Sequence, residues 1–295
     1  MATSLTDDLR RAMRANGSAL HRLILYNVAV YVVLVVLGAV LGLSGLSWLY
    51  EALKSWLMLP SALLTLLTRP WTVFTYAFTH ESFFHILFNM LNLYWFGQLL
   101  VEYLGARRLV SVYVLGALAG AAAFVLAMNL IPVLVMRFGY PPILGASGAV
   151  SAIIVAAATL LPDYTFMLIL LGPVRIKWIA AVLVLLSVSG LTGDNAGGQF
   201  AHLGGALLGF TFVKQLQAGR DLGAPLYRAW RWLTSLFTPV PVMRATSSAR
   251  GTATAVPTPT ADEAAIDRIL DKINRSGYDS LSKEEKQQLF QASKK

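Results

Sequence analysis

LVSVYVLGALAGAAAFVLAMNLI, residues 109–131, runs for 23 residues without a charged side chain. Crossing about 30 Å of hydrocarbon takes about 20 helical residues, so this stretch by itself predicts a membrane span. Working outward by the same measure gives five more crossings, at about 23–43, 78–100, 147–161, 178–191 and 200–214. The last three are short. A helix of about 15 residues is only about 22 Å long, so its ends must lie below the membrane surface, which is tolerable where they line a wet cavity. The expected fold is therefore all-α: a polytopic membrane bundle of six transmembrane helices over residues 23–217, preceded by a short segment, 1–22.

Composition agrees with that reading. The chain has 295 residues, 56% hydrophobic and 13% charged, against about 25% charged in an average soluble domain. One water-soluble globule is excluded, and so is a disordered chain, which would lack the apolar mass. The absence of cysteine removes disulfide scaffolds, thiolate nucleophiles, cysteine zinc sites and iron–sulfur clusters. A net charge of +9 could point to nucleic acid, but the long apolar stretches carry almost none of it. Basic segments flanking membrane spans account for the excess, and no nucleic-acid partner is expected.

With residues 1–22 placed in the cytoplasm, the outer side receives Lys54, Arg69 and Arg137, and the other 21 of the 24 basic residues fall inside. That asymmetry obeys the positive-inside rule and predicts a plasma (inner) membrane protein with both termini cytoplasmic. Leu46 to Leu67 is apolar enough to imitate a crossing, yet it contains Glu51, Lys54 and Pro60, with Trp48, Tyr50 and Trp56 suited to an interface. A crossing there would reverse every later loop and expose the basic tail, so the segment is expected to lie along the membrane.

Residues 218–260 read as a linker, ending in TATAVPTPT, and 261–295 as a small helical cytoplasmic appendage. Ile266, Ile269, Leu270 and Ile273 repeat at helical spacing after a Thr260 to Glu263 capping box, and Gly277 follows. Ser282 and Glu285 form a second box before Leu289 and Phe290. Two such short helices bury little, so a partner of unknown identity, or the membrane, is expected to bind them.

Polar side chains inside spans are costly and therefore informative. The second span carries His85 and Asn89, the fourth opens with Gly145-Ala146-Ser147-Gly148, and the sixth carries His202. In the topology above, spans two, four and six all run inward, so these groups share one depth near the outer leaflet. A serine hydroxyl becomes a nucleophile when a neutral imidazole takes its proton. Ser147 and His202 supply that pair. His85 and Asn89, at i and i+4, face one way as side-chain donors for an oxyanion, beside the backbone N–H of Ser147 and its helix dipole. Gly205-xxx-Gly209 and Gly148 with Ala152 and Ala156 allow the two helices to approach closely.

The segments RPWTVFTYAFTHESFFHILFNM, GASG and GGQFAHLGGALLG resemble the rhomboid family of intramembrane serine proteases, over roughly Arg69 to Phe210 and in the expected order. The resemblance implies a Ser147–His202 dyad, an oxyanion site of His85, Asn89 and the Ser147 amide, glycines Gly145, Gly148, Gly205 and Gly209 shaping it, and transmembrane protein substrates in the lipid bilayer. The tail resembles one common in bacterial members of the Bacteroidetes type. In one respect the chain departs from the family. Many members place an aromatic residue four positions after the nucleophile, against the histidine ring; here that position is Ser151, so a hydrogen bond from Ser151 or contacts from span two must orient His202.

Each motif also has a plain structural reading. Ser147 can be a small packing residue, His202 can bond a backbone carbonyl, and His85 with Asn89 can be a polar pair between helices. His80 reads as structural or interfacial. Their shared depth and order outweigh these readings. HESFFH separates its histidines by five residues, turning the second ring about 140° from the first, so the zinc-protease HExxH pattern fails and no metal is expected. An aspartyl mechanism needs two carboxylates sharing a proton, and Asp194, in a loop, is the only aspartate near the membrane on that side. The resulting expectation is an intramembrane serine endopeptidase without cofactors; the alternative is a non-proteolytic rhomboid-like protein that binds transmembrane clients.

Overall fold

The computed structural model describes residues 18–168, 172–236 and 261–292. Arg10, Arg11 and Arg14 of the expected N-terminal segment, the TATAVPTPT linker and the Thr260 cap lie outside them. The chain divides into two compact units, residues 1–238 and 239–295.

In the first unit, α1 (Ser18–Leu43), α5 (Phe83–Leu104) and α6 (Ala106–Leu130) are long and apolar enough to cross a membrane. Two apolar helices are shorter, α8 (Ser147–Leu160) and α9 (Ile176–Ser189), and α10 (Ala196–Gln217) packs most closely against α8 and α6. The expected second span begins late. Tyr76–Phe78 is a 3₁₀ turn, and Ser82 starts α5 by accepting a hydrogen bond from the His85 N–H at 3.3 Å.

Leu46 to Leu67 does not form a spanning helix. It folds as α2 (Ser47–Ser55) and α3 (Leu63–Thr68), interrupted at Pro60; nine residues rise only about 14 Å. Side chains tie this segment down: Trp71 stacks on Trp56 at 5.7 Å and donates its indole N–H to the Trp56 carbonyl at 2.9 Å, with the Arg69 guanidinium 4.6 Å over the Trp56 ring. Two short helices follow their neighbours in the chain, α4 (Thr72–Thr75) and α7 (Pro132–Phe138).

Buried polar groups connect the helices. Tyr113 on α6 donates to the Ala77 carbonyl at 2.9 Å and accepts from the Asn27 amide of α1 at 3.0 Å. Tyr76 donates to the Ala117 carbonyl of α6 at 2.6 Å. Such bonds satisfy groups that have no water to turn to in hydrocarbon.

Between α8 and α9 the chain forms an antiparallel hairpin, β1 (Thr165–Leu168) with β2 (Gly172–Arg175), pairing Thr165 with Arg175. Phe166 packs on Phe96 at 4.9 Å, and Asp163 bonds Lys177 at 2.7 Å. The stretch read as linker contains α11 (Ala224–Ser235).

The second unit contains α12 (Ala261–Ser276), closed by Gly277 at φ 78°, and α13 (Lys283–Ala292). Ser282 accepts from the Glu285 N–H at 3.2 Å while the Glu285 carboxylate accepts from the Ser282 N–H at 2.7 Å, the reciprocal box its sequence predicts. Ile269 and Leu281 are buried in this unit.

Candidate active site

Backbone proximity makes the site. Every side chain that α10 could place towards α8 at Gly205 and Gly209 is missing: a Cβ at Gly205 would overlap the Gly148 carbonyl oxygen, and one at Gly209 the Ala152 carbonyl oxygen. On α8, Gly148 leaves 3.3 Å between a notional Cβ and the Ala201 carbonyl. The two main chains therefore touch, and each helix can reach the other's short polar side chains.

At that contact the Ser147 hydroxyl lies 2.8 Å from His202 Nε2. His202 Nδ1 lies 3.2 Å from Oε1 of Gln199, one turn earlier on α10. A carboxamide oxygen only accepts, so this contact places the ring proton on Nδ1 and leaves the Nε2 lone pair to the serine hydroxyl, an assignment made from the bonding pattern. Gln199 is what the sequence reading missed. Ser151 is buried at 3% exposure and makes no bond to His202. The ring is oriented from its own helix instead, by a residue passed over because a carboxamide does not titrate.

The turn before Ser147 is fixed from three directions. Ile143 and Leu59 exchange backbone bonds at 2.9 Å in both directions, the Gly145 N–H donates to the Tyr76 carbonyl at 2.9 Å, and the Ala146 N–H donates to His80 Nε2 at 3.3 Å. His80, 3% exposed, is thus a support for the loop. Gly145 has φ 122°, a conformation that an L side chain rarely adopts, and a Cβ there would sit 2.7 Å from the His85 ring. His85 accordingly lies against the loop that delivers the serine.

Asn89 is placed differently from the expectation. It is buried on α5, and its amide donates to the His85 carbonyl of its own helix at 2.8 Å. Among the described residues no bond joins it to the Ser147–His202 pair. The structure thus unites Ser147, His202, His85 and the four glycines, and leaves Asn89 one turn along α5. Ser147 opens α8, so the first N–H groups of that helix have no intrahelical acceptor and stand beside the hydroxyl with the positive end of the helix dipole. Among the described residues no group of three or more acidic or histidine side chains could hold a metal ion.

The rhomboid domain model matches residues 67–217, and the chain belongs to that family, whose members are generally intramembrane serine proteases. A family of unknown function, DUF6576, matches residues 260–295. Similar proteins include RHOMBOID-like protein 12, mitochondrial, of Arabidopsis thaliana, 29% identical over 199 residues, covering 63% of this chain and 59% of that protein. Rhomboid protein 1, mitochondrial, of Saccharomyces cerevisiae is 30% identical over 188 residues, 62% and 51% of the two chains. The presenilin-associated rhomboid-like protein, mitochondrial, of Mus musculus is 33% identical over 162 residues, 52% and 40%. The chain spans about half the length of these curated relatives. Their mitochondrial location overturns the expectation of a bacterial plasma membrane with both termini in the cytoplasm. Counting lysine and arginine on the two sides of a bundle orders its loops without saying which membrane holds it.

Proposed function

We propose that the chain is an intramembrane serine endopeptidase that cuts transmembrane-segment substrates near the membrane face at which α8 and α10 begin. The observation that carries this reading is the 2.8 Å approach of the Ser147 hydroxyl to His202 Nε2, which is within general-base reach. As Ser147 Oγ attacks the scissile carbonyl, Nε2 takes its proton; the imidazolium then returns that proton to the departing amine, leaving an acyl-serine. Water, activated by the same nitrogen, releases the acid and restores the hydroxyl. Gln199 holds the ring in the tautomer that both steps need. The developing oxyanion has the first-turn N–H groups of α8 beside it, and His85 as a side-chain donor against the same loop. Asn89 joins it by turning its amide from the His85 carbonyl.

In this reading the core of residues 23–217 crosses the bilayer six times. Helices α8 and α9 have 14 residues each, about 21 Å against about 30 Å of hydrocarbon, so the serine lies submerged and water enters from the nearer face. A substrate helix must unwind to present its carbonyl, which favours substrates with residues of low helix propensity at that depth. The tail, 261–295, is a docking element for a further partner.

Fluorophosphonate labelling of the detergent-solubilised protein tests this. Label on the wild type that is lost in both Ser147→Ala and His202→Ala is the expected result. No label on a folded wild type would refute the protease and favour the client-binding alternative.

A further inference from the structure

Helix α11 lies outside the proposed chemistry and has an unusual surface. At 100° per residue, Leu226, Ala229, Trp230 and Leu233 line one side with Leu236 on its flank, Arg228, Arg231 and Ser235 line the opposite side, and Trp232 stands at the border between them. The apolar side and its border are bare: Trp230 is 66% exposed, Trp232 65% and Leu236 60%. In water such a face would be a liability.

Its position is set by the bundle. Helix α10 stops at Gln217, and just beyond it Gly219, φ 79°, bonds the Leu216 carbonyl through its N–H at 3.0 Å as the chain turns. Asp221 accepts from the Gly223 N–H at 2.8 Å and from Arg108 Nε at 3.2 Å. Arg108 stands in the first turn of α6, so α11 is bolted at its start to the end of the bundle where α6 begins and α10 stops. That end is basic. Arg107 and Arg108 open α6, Lys214 and Arg220 stand at the end of α10, and α11 adds Arg228 and Arg231.

We propose that α11 is a membrane-surface helix that lies in the headgroup layer of the bilayer its own bundle spans, its tryptophans and leucines sunk towards the acyl chains and its arginines holding anionic phospholipid phosphates. The occupant of the bare face is lipid because α11 starts at the level where two apolar membrane-spanning helices meet their boundary, where the indole ring is at home. The charge of that boundary complements anionic headgroups, and a short helix with an arginine face and a tryptophan–leucine face partitions into that layer. This inference needs only that the bundle is in a membrane, and stands whether or not Ser147 cuts anything.

Since the chain has no cysteine, single labels can be introduced cleanly. Leu233→Cys and Ser235→Cys, each carrying a nitroxide, are compared by power saturation in nanodiscs of phosphatidylcholine with and without phosphatidylglycerol. Both sites are exposed, and an unchanged unfolding temperature checks that the bundle is intact. The expected result is that the label at 233 is relaxed by oxygen in preference to a water-soluble nickel chelate, and the label at 235 by nickel. The inserted population should rise with phosphatidylglycerol, and Arg228→Gln with Arg231→Gln should abolish that rise, each arginine being worth about a five-fold change. Equal nickel access at both sites would overturn the proposal. So would shielding of 233 from both reagents, which would put protein on that face, and so would insertion indifferent to phosphatidylglycerol and to the arginines.

Discussion

One added methyl group at Gly205 probes how the reactive pair is spaced. In Gly205→Ala the new Cβ overlaps the carbonyl oxygen of Gly148, the residue next to Ser147. An ordinary contact there is about 3.5 Å, so α10 must back away from α8 by more than about 1 Å. The Ser147–His202 separation of 2.8 Å then exceeds the ~3.2 Å limit of a good hydrogen bond. Overpacking of this kind costs about 1–3 kcal/mol of stability, and a 1 Å misplacement of reacting groups costs about 100-fold in rate. The assay is the second-order rate of fluorophosphonate labelling, with thermal unfolding in parallel. Gly42→Ala is the control, since only Ser47 Oγ comes within 4 Å of its notional Cβ, at 3.9 Å. A Gly205→Ala protein that labels at the wild-type rate would refute the argument that main-chain contact sets the distance.

Gln199→Ala removes one neutral hydrogen bond, worth about 1 kcal/mol, and should slow labelling about five-fold with the fold unchanged. Gln199→Glu places a carboxylate on Nδ1, which favours the imidazolium, so the acidic limb of the rate–pH profile should move to higher pH. Trp71→Phe deletes the bond to the Trp56 carbonyl and should lower stability by about 1 kcal/mol, read as a drop in unfolding temperature. In the tail, the Lys272 ammonium and the Ser282 N–H hold the Glu285 carboxyl below the usual carboxylate range. Lys272→Ala should therefore move its NMR titration midpoint upward. The depressed value also means that this contact supports the tail above the ordinary carboxylate pKa and is lost as pH falls through the folded one.

What could be read beforehand follows from the range of each interaction. Helices α1, α5 and α6 are legible because hydrophobic length is a local property, and the α12 stop at Gly277 and the Ser282–Glu285 box are legible because capping spans only three residues. Ser147, His202 and His85 stood out as polar groups in costly places. Gln199 does not, although it stands only one turn before the ring it orients, because a neutral carboxamide carries no charge to mark it as costly. Neither did the Asn89 bond to its own helix, since i and i+4 spacing fixes a face without fixing a partner. The pairing of 165–168 with 172–175 is hidden by an apolar sequence with a proline, and the ring partner of Phe166, Phe96, comes from another element. Helix α11 reads as linker because its arginines obscure the period of its apolar residues.

The bond between Asn27 and Tyr113 bears on how the bundle assembles. Val32, Val33, Val36 and Val40 of α1 are exposed, so acyl chains solvate most of this helix as well as protein would, and burial gives it little reason to dock. To the buried Leu20, Leu23 and Leu34 its attachment adds an amide and a phenol that find each other in hydrocarbon. Helices α6, α8 and α10, fastened by glycine contacts, hold the serine and histidine without it. Helix α1 is thus a stave set outside the reactive core, latched in part by a polar pair, and its detachment would leave the reactive pair standing.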